Sequence, residues 1–264
     1  MWPGLEPLQG EYNHTYPDKY DEIVKKAAEY GIYTLIDGHQ DAFNEYFCGE
    51  GVPDWARVTP EEGGEHNLMG SWPLPVADPT SDFYNEPKMN NYSFPTRDEC
   101  SHSHTAEFQA AKESSYAYDA LYTNVNGAGD AWADMWEVVA ERFQGRSEVL
   151  GYELLNEPFM GDFYRDPLIA VPYPNPHNAD AKRLQPAYDR LHASIRKQDN
   201  ETLVFFAGSL GTMRDRVSRL LQEARSTQTG QCLHFITMNR PRCPQPDKLR
   251  PRYAEPPGST LECS

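Results

Sequence analysis

The chain has 264 residues, 39% of them apolar, 24% charged and 12% aromatic, enough for one large core or two small ones, and the composition excludes disorder throughout. No apolar run approaches the ~18 residues of a membrane span, and Met1 leads straight into Trp2-Pro3-Gly4, so neither a span nor a signal peptide is expected. Forty acidic against 24 basic residues give a net charge of -16, which repels phosphate backbones, excludes nucleic acid as partner and favours a neutral or weakly charged ligand.

Charge divides the chain. Residues 209–264 hold 9 Lys or Arg and 5 Asp or Glu, a net +4, which leaves -20 for residues 1–208 and places a seam near Gly208. Upstream, Tyr20, Ile23, Val24 and Ala27 recur at helical spacing, and Gly31 closes that helix. Ile32 to Ile36 predicts a strand that runs into Asp37-Gly38-His39-Gln40-Asp41. Residues 42–127 are rich in Gly, Pro, Asn and aromatics, and so long a connection after a strand's C-terminal end predicts a binding loop. Trp132, Met135, Trp136, Val139 and Phe143 mark a second helix face, followed by a buried strand from Val149 to Leu155 that ends at Asn156-Glu157-Pro158. Leu184, Tyr188, Leu191 and Ile195 form a third stripe, which Asp199-Asn200 breaks before a strand from Leu203 to Phe206. Three such units predict an α/β fold, either part of a (β/α)₈ barrel or a doubly wound sheet. No Gly-rich phosphate loop follows any strand, which favours the barrel.

The polar residues gathered at strand ends carry the chemistry. Glu157, after seven residues in which only Glu153 is charged, is expected in a partly apolar barrel mouth that raises its pKa, the state a general acid needs. Asn156 beside it can hydrogen-bond a sugar hydroxyl. The competing reading is a surface glutamate at a strand terminus. Asp37 and His39 point the same way along the chain and can bind hydroxyls or orient a carboxylate; equally, they can cap backbone groups where a loop starts. A two-histidine, one-carboxylate metal triad lacks its second histidine there, and Cys100-Ser101-His102-Ser103-His104 matches no standard zinc spacing, so no metal and no cofactor is expected. Sequons at Asn13, Asn91 and Asn200 suggest an oxidising secretory compartment, in which Cys48 and Cys100, the two cysteines upstream of the seam, are expected to be bridged.

With these residues in hand, the chain resembles the endoglycoceramidase branch of glycoside hydrolase family 5. The matching stretches are Trp2 to Pro7 with Gly10 and Tyr12-Asn13, Gly31 to Asp41, Phe47-Cys48-Gly49-Glu50-Gly51-Val52-Pro53, and Gly151 to Phe159, within residues 1 to about 208. The resemblance implies a (β/α)₈ barrel that hydrolyses the bond between an oligosaccharide and ceramide with retention of configuration. By position it makes Glu157 the acid/base, sets Asn156 on the 2-hydroxyl beside the scissile bond, and lines the glycone pocket with Asp37 and His39. It implies a glycosphingolipid or oligosaccharide partner, a monomer, and a secreted or lysosomal location. An endoglucanase-like enzyme acting on polysaccharide and a non-catalytic glycan- or lipid-binding isoform are the alternatives.

Two departures from the resemblance shape the expectation. The family has at least one strand–helix unit before the Trp-Pro-Gly motif, and its nucleophile, a glutamate near a late strand's end, has no counterpart here, so an incomplete barrel without a nucleophile is expected over residues 1–208. Residues 209–264 are expected to be a divergent, disordered tail. Read from each codon's third base, Leu233 to Arg242 permits Ser-Phe-His-Tyr-Tyr-Glu-Pro-Pro-Gln, a family motif, whose glutamate is forced by the G of Met238 followed by the AA of Asn239. Ala224 to Gln231 permits a second family-like peptide in the same shifted frame. A slip of reading frame near Gly208 accounts for both, and Glu262, the one tail residue locally reminiscent of a nucleophile strand, is set down to chance.

Overall fold

A computed structural model of the chain describes residues 1–58, 88–101, 108–171 and 178–209. The expectation for the tail, apart from Ser209, lies outside the described residues, as do His102, His104 and Glu262. The α-helices among the described residues include α1 (Trp2–Leu5), α2 (Tyr16–Glu29), α3 (Arg97–Cys100), α4 (Lys112–Tyr122), α5 (Ala128–Phe143) and α6 (Gln185–Gln198). The strands are β1 (Thr34–Asp37), β2 (Val149–Glu153) and β3 (Leu203–Phe205). They form one parallel sheet in the order β1-β2-β3. Helix α5 carries the chain from β1 towards β2, and α6 from β2 to β3. The two helices pack side by side, pinned by Lys197 Nζ on Glu137 Oε2 at 2.6 Å and Arg190 Nε on Asp130 Oδ1 at 3.1 Å. Among the described strands the order does not reverse, as winding round a barrel requires. No helix among the described residues is long and apolar enough to cross a membrane.

The predicted stripes of α5 and α6 are the faces that the fold buries: Trp132, Met135, Trp136, Val139 and Phe143 on one, Leu191 and Ile195 on the other, with Leu184 and Tyr188 beside them. The register sets Gly151 opposite Leu203, where a Cβ would lie 2.3 Å from the Phe205 ring, so only glycine admits that ring against β2.

Three expectations need correction. Helix α2 turns Pro17, Asp21 and Val24 inward and leaves Ile23 61% exposed. The cause is Asp21, only 4% exposed, whose carboxylate meets Lys25, Arg142 and Arg146 and so makes the helix face towards α5 an ionic one. Strand β1 starts at Thr34, and Tyr33 before it is 68% exposed. Within residues 42–127, read as a loop, α4 is a regular helix that buries Ser114, Ser115, Ala117, Tyr118, Leu121 and Tyr122. Small and hydroxyl-bearing residues share its buried face with the aromatic ones, so the face carries no continuous apolar stripe. The Cys48–Cys100 disulfide closes this region, with the two Cα atoms 5.4 Å apart.

Asp21 yields a test in pH. The hydrogen bond from Lys25, then those from Arg146 and the charge of Arg142, outweigh burial and hold its carboxyl down at about 2. A carboxyl depressed in the folded state adds stability above its unfolded value of about 3.9, and that stability is lost as pH falls through about 2. With Lys25 and Arg142 both reached by solvent, the contribution is on the order of 1–2 kcal/mol. Urea midpoints between pH 2 and 6 should therefore drop for the native chain below pH 4 and change less for Asp21→Asn; parallel curves would refute the assignment.

Candidate active site

Strands β1 and β2 deliver their C-terminal ends side by side, Asp37 in register with Glu153. The exits are clipped together by Gly38 N donating to Glu153 O at 2.8 Å, and Leu154 N donates in turn to Phe205 O on β3 at 2.9 Å. Gly38 passes so close that a Cβ there would lie 2.5 Å from the Leu154 carbonyl oxygen. The sequence-predicted residues Asp37, His39, Asn156 and Glu157 thus come from adjacent strand ends.

His39 Nδ1 lies 2.9 Å from Asp37 Oδ2, and its Nε2 lies 3.5 Å from Asp41 Oδ2. Burial lowers the imidazole pKa, but the hydrogen bond and charge of Asp37, with Asp41 adding, outweigh it and raise the value. Asp37 Oδ1 is buried with no hydrogen-bond partner among the described residues, so Asp37 serves the imidazole and does not cap the loop's backbone. The desolvated carboxyl here is Glu153: burial first, then the Asp37 charge, pushes its pKa up against the opposing pull of His39.

Asn156 is half-buried, and its Oδ1 accepts from Gln40 N at 2.6 Å, so the amide oxygen is engaged within the protein and the Nδ2 group is the donor end. Glu157 departs from expectation. It is exposed, not set in an apolar mouth, because β2 ends at Glu153 and the chain has climbed four residues out of the sheet. Its backbone is left-handed, with φ 39°, a conformation that costs a non-glycine residue free energy and is held by its surroundings.

Sequence reasoning missed Gln40 and the significance of Glu153. A glutamine between His39 and Asp41 carries no charge to draw attention, and Glu153 reads as an ordinary strand residue until β1 is laid beside it.

The Phe47 to Pro53 run folds back on the His39 loop. Asp41 and Glu50 exchange both backbone hydrogen bonds, at 2.9 and 2.8 Å. This hairpin brings ligand atoms of His39, Asp41 and Glu50 within 4.8 Å of one another, all exposed. The same run walls a cleft of about 650 Å³, with Glu50, Val52, Trp55, Phe94 and Leu8 among its lining. Apolar and aromatic walls beside carboxylates suit a ligand with hydroxyls and hydrocarbon faces.

The model of the family described as Cellulase (glycosyl hydrolase family 5) matches residues 1–235, past the seam near Gly208. The chain is 41% identical over 208 residues to an endoglycoceramidase of Cyanea nozakii, a match that covers 79% of this chain and 38% of that protein. It is 39% identical over 208 residues to an endoglycoceramidase of Hydra vulgaris, covering 79% and 37%. The chain thus spans about two fifths of the length of these relatives. Among solved structures, endo-glycoceramidase II from Rhodococcus sp. with a five-membered iminocyclitol superposes with a TM-score of 0.56 at 23% identity, over 79% of this chain and 39% of that one. Its complex with ganglioside GM3 gives 0.55 at 23% identity, with the same coverage.

Proposed function

The chain belongs to glycosyl hydrolase family 5, and from that premise we propose that residues 1–208 are the acid/base half of an endoglycoceramidase-like retaining β-glycosidase. The enzyme would hydrolyse the bond between the oligosaccharide and the ceramide of a glycosphingolipid. One observation carries the reading: Asp37-His39 and Asn156-Glu157 follow the C-terminal ends of adjacent parallel strands, and Gln40 N donating to Asn156 Oδ1 ties the two exits together where barrel enzymes place their chemistry. In the first step Glu157, protonated, gives its proton to the glycosidic oxygen while a second carboxylate attacks the anomeric carbon. In the second step Glu157, now ionised, takes a proton from the water that releases the sugar. Asn156 Nδ2 would hold the hydroxyl next to the anomeric carbon, and Asp37 with His39 would hold the glycone.

A retaining mechanism needs a second carboxylate beside Glu157, and in this proposal the active enzyme is a longer, in-frame protein that supplies it and acts as a monomer. Secretory or lysosomal maturation is supported by the Cys48–Cys100 bridge and by exposed Asn13, Asn91 and Asn200 at the sequons. A mass shift on enzymatic deglycosylation of secreted material tests it.

The decisive experiment uses two proteins. The full-length, in-frame enzyme should release oligosaccharide from a glycosphingolipid and leave soluble cellulose derivatives intact; the reverse preference would hand the site to a polysaccharide glycosidase. Monodisperse residues 1–264 should release no more than their own Glu157→Gln variant. Release well above that control would show that another carboxylate has been recruited, Glu262 being the first to try.

Asp37 and His39 separate function from scaffolding. In the full-length enzyme, Asp37→Asn or His39→Ala should lower turnover while the melting temperature stays within roughly a few degrees. Collapse of thermal stability would instead make them structural residues of the strand end.

A further inference from the structure

We infer that Gln40 is the positioning residue of this site, and that with Tyr118 behind it Gln40 sets the peptide that carries Asn156 and Glu157. The inference rests on the reading of Glu157 as acid/base and adds what holds that residue in place. Gln40 is 1% exposed, and every polar group of its side chain is engaged. Its Nε2 donates to Asn156 O at 3.2 Å and to Glu157 O at 3.1 Å; its Oε1 accepts from Phe43 N at 3.0 Å and from the Tyr118 hydroxyl; its backbone N donates to Asn156 Oδ1 at 2.6 Å.

The amide orientation follows from the partners. Phe43 N is a donor only, and burial raises the Tyr118 phenol so far that it stays protonated and donates. Asn156 O and Glu157 O accept only. A flipped amide would face donor with donor and acceptor with acceptor. Gln40 therefore draws two successive carbonyls of the β2 exit towards the β1 exit. Those carbonyls flank and follow the Glu157 backbone, the one held at φ 39°. An ordinary loop would relax from that conformation; pinned on both sides by one buried amide, the backbone that carries the exposed Glu157 and the half-buried Asn156 is held in it. Tyr118 anchors the anchor. It is buried in an aromatic cluster with Phe43 and Phe159, so α4, outside the sheet, fixes the site through one side chain.

The test is the leaving-group dependence of the full-length enzyme. Gln40→Glu keeps the size and the Oε1 acceptor but presents an acceptor to two carbonyls. It should lower kcat/KM on a glycosphingolipid by about 10²-fold, as a misplaced catalytic group does. For an aryl glycoside with a good leaving group, whose first step needs little proton donation, the loss should be several-fold smaller. Tyr118→Phe, which preserves packing, should show the same split at about 10-fold, and the double variant should be no worse than Gln40→Glu alone, since the two residues act as one unit. Glu157→Gln runs in parallel. If it shows no split, the acid/base reading fails and this inference with it. If it shows the split while Gln40→Glu and Tyr118→Phe lose both substrates equally, or lose nothing, Gln40 is a structural residue only and the positioning role is overturned.

Discussion

Replacing Glu157 by Gln in the full-length enzyme is expected to lower kcat/KM for a natural glycosphingolipid by about 10²–10⁴-fold, the usual worth of general acid catalysis. The ceramide alkoxide is a poor leaving group and departs only as the proton arrives. An aryl glycoside leaves as a stable phenolate, so its first step should suffer far less, and the defect should move to the second step, where Glu157 serves as base. Exposure of Glu157 sharpens the prediction. The substituted amide disturbs no buried contact, so the melting temperature should stay within roughly a degree or two. Equal, near-normal rates on both substrates would remove Glu157 from the role. A large loss of stability would mean that the residue is holding the β2 exit together.

How much of this could be read from the chain itself depends on whether the deciding contacts are local. Helices α5 and α6 were legible because bulky side chains such as Trp136, Phe143, Leu191 and Ile195 recur with the helix period and are the ones that the sheet buries. Helix α4 was not, because Ser114, Ser115 and Ala117 lie on its inner face and hydropathy assigns them nowhere. Ile23 shows the opposite case: its hydropathy points it inward, while the inward position belongs to Asp21 and its cations. Strand ends marked the site, since Asp37, His39, Asn156 and Glu157 are polar residues massed just after apolar runs. The network that binds them was hidden because Gln40 meets Asn156 across 116 residues of sequence, and that adjacency exists only once β1 and β2 pair. The surroundings of Glu157 were hidden for the same reason, since burial of a strand-end residue is decided by its neighbours.

Breaking the Cys48–Cys100 bridge is expected to cost the fold about 4 kcal/mol, because the link closes a loop of 52 residues that otherwise adds its full conformational freedom to the unfolded state. For a folded region of this size, that is a fall in melting temperature of roughly 10 °C. The loop ends matter as much as its length. Cys48 sits in left-handed backbone at the head of the Gly49-Glu50-Gly51 turn that walls the cleft, and Cys100 ends α3, so the bridge ties that wall to α3. Cys48→Ser, Cys100→Ser and the double variant should therefore lose the same stability, since any one of them removes the whole cross-link. The native protein under reductant should match all three. Unequal losses would show that one cysteine acts through packing, and free thiols at both positions in non-reduced, secreted material would remove the bridge altogether. If the bridge holds and its loss lowers glycolipid turnover more than it lowers stability at the assay temperature, the cleft beside His39 and Glu50 is part of the substrate's path.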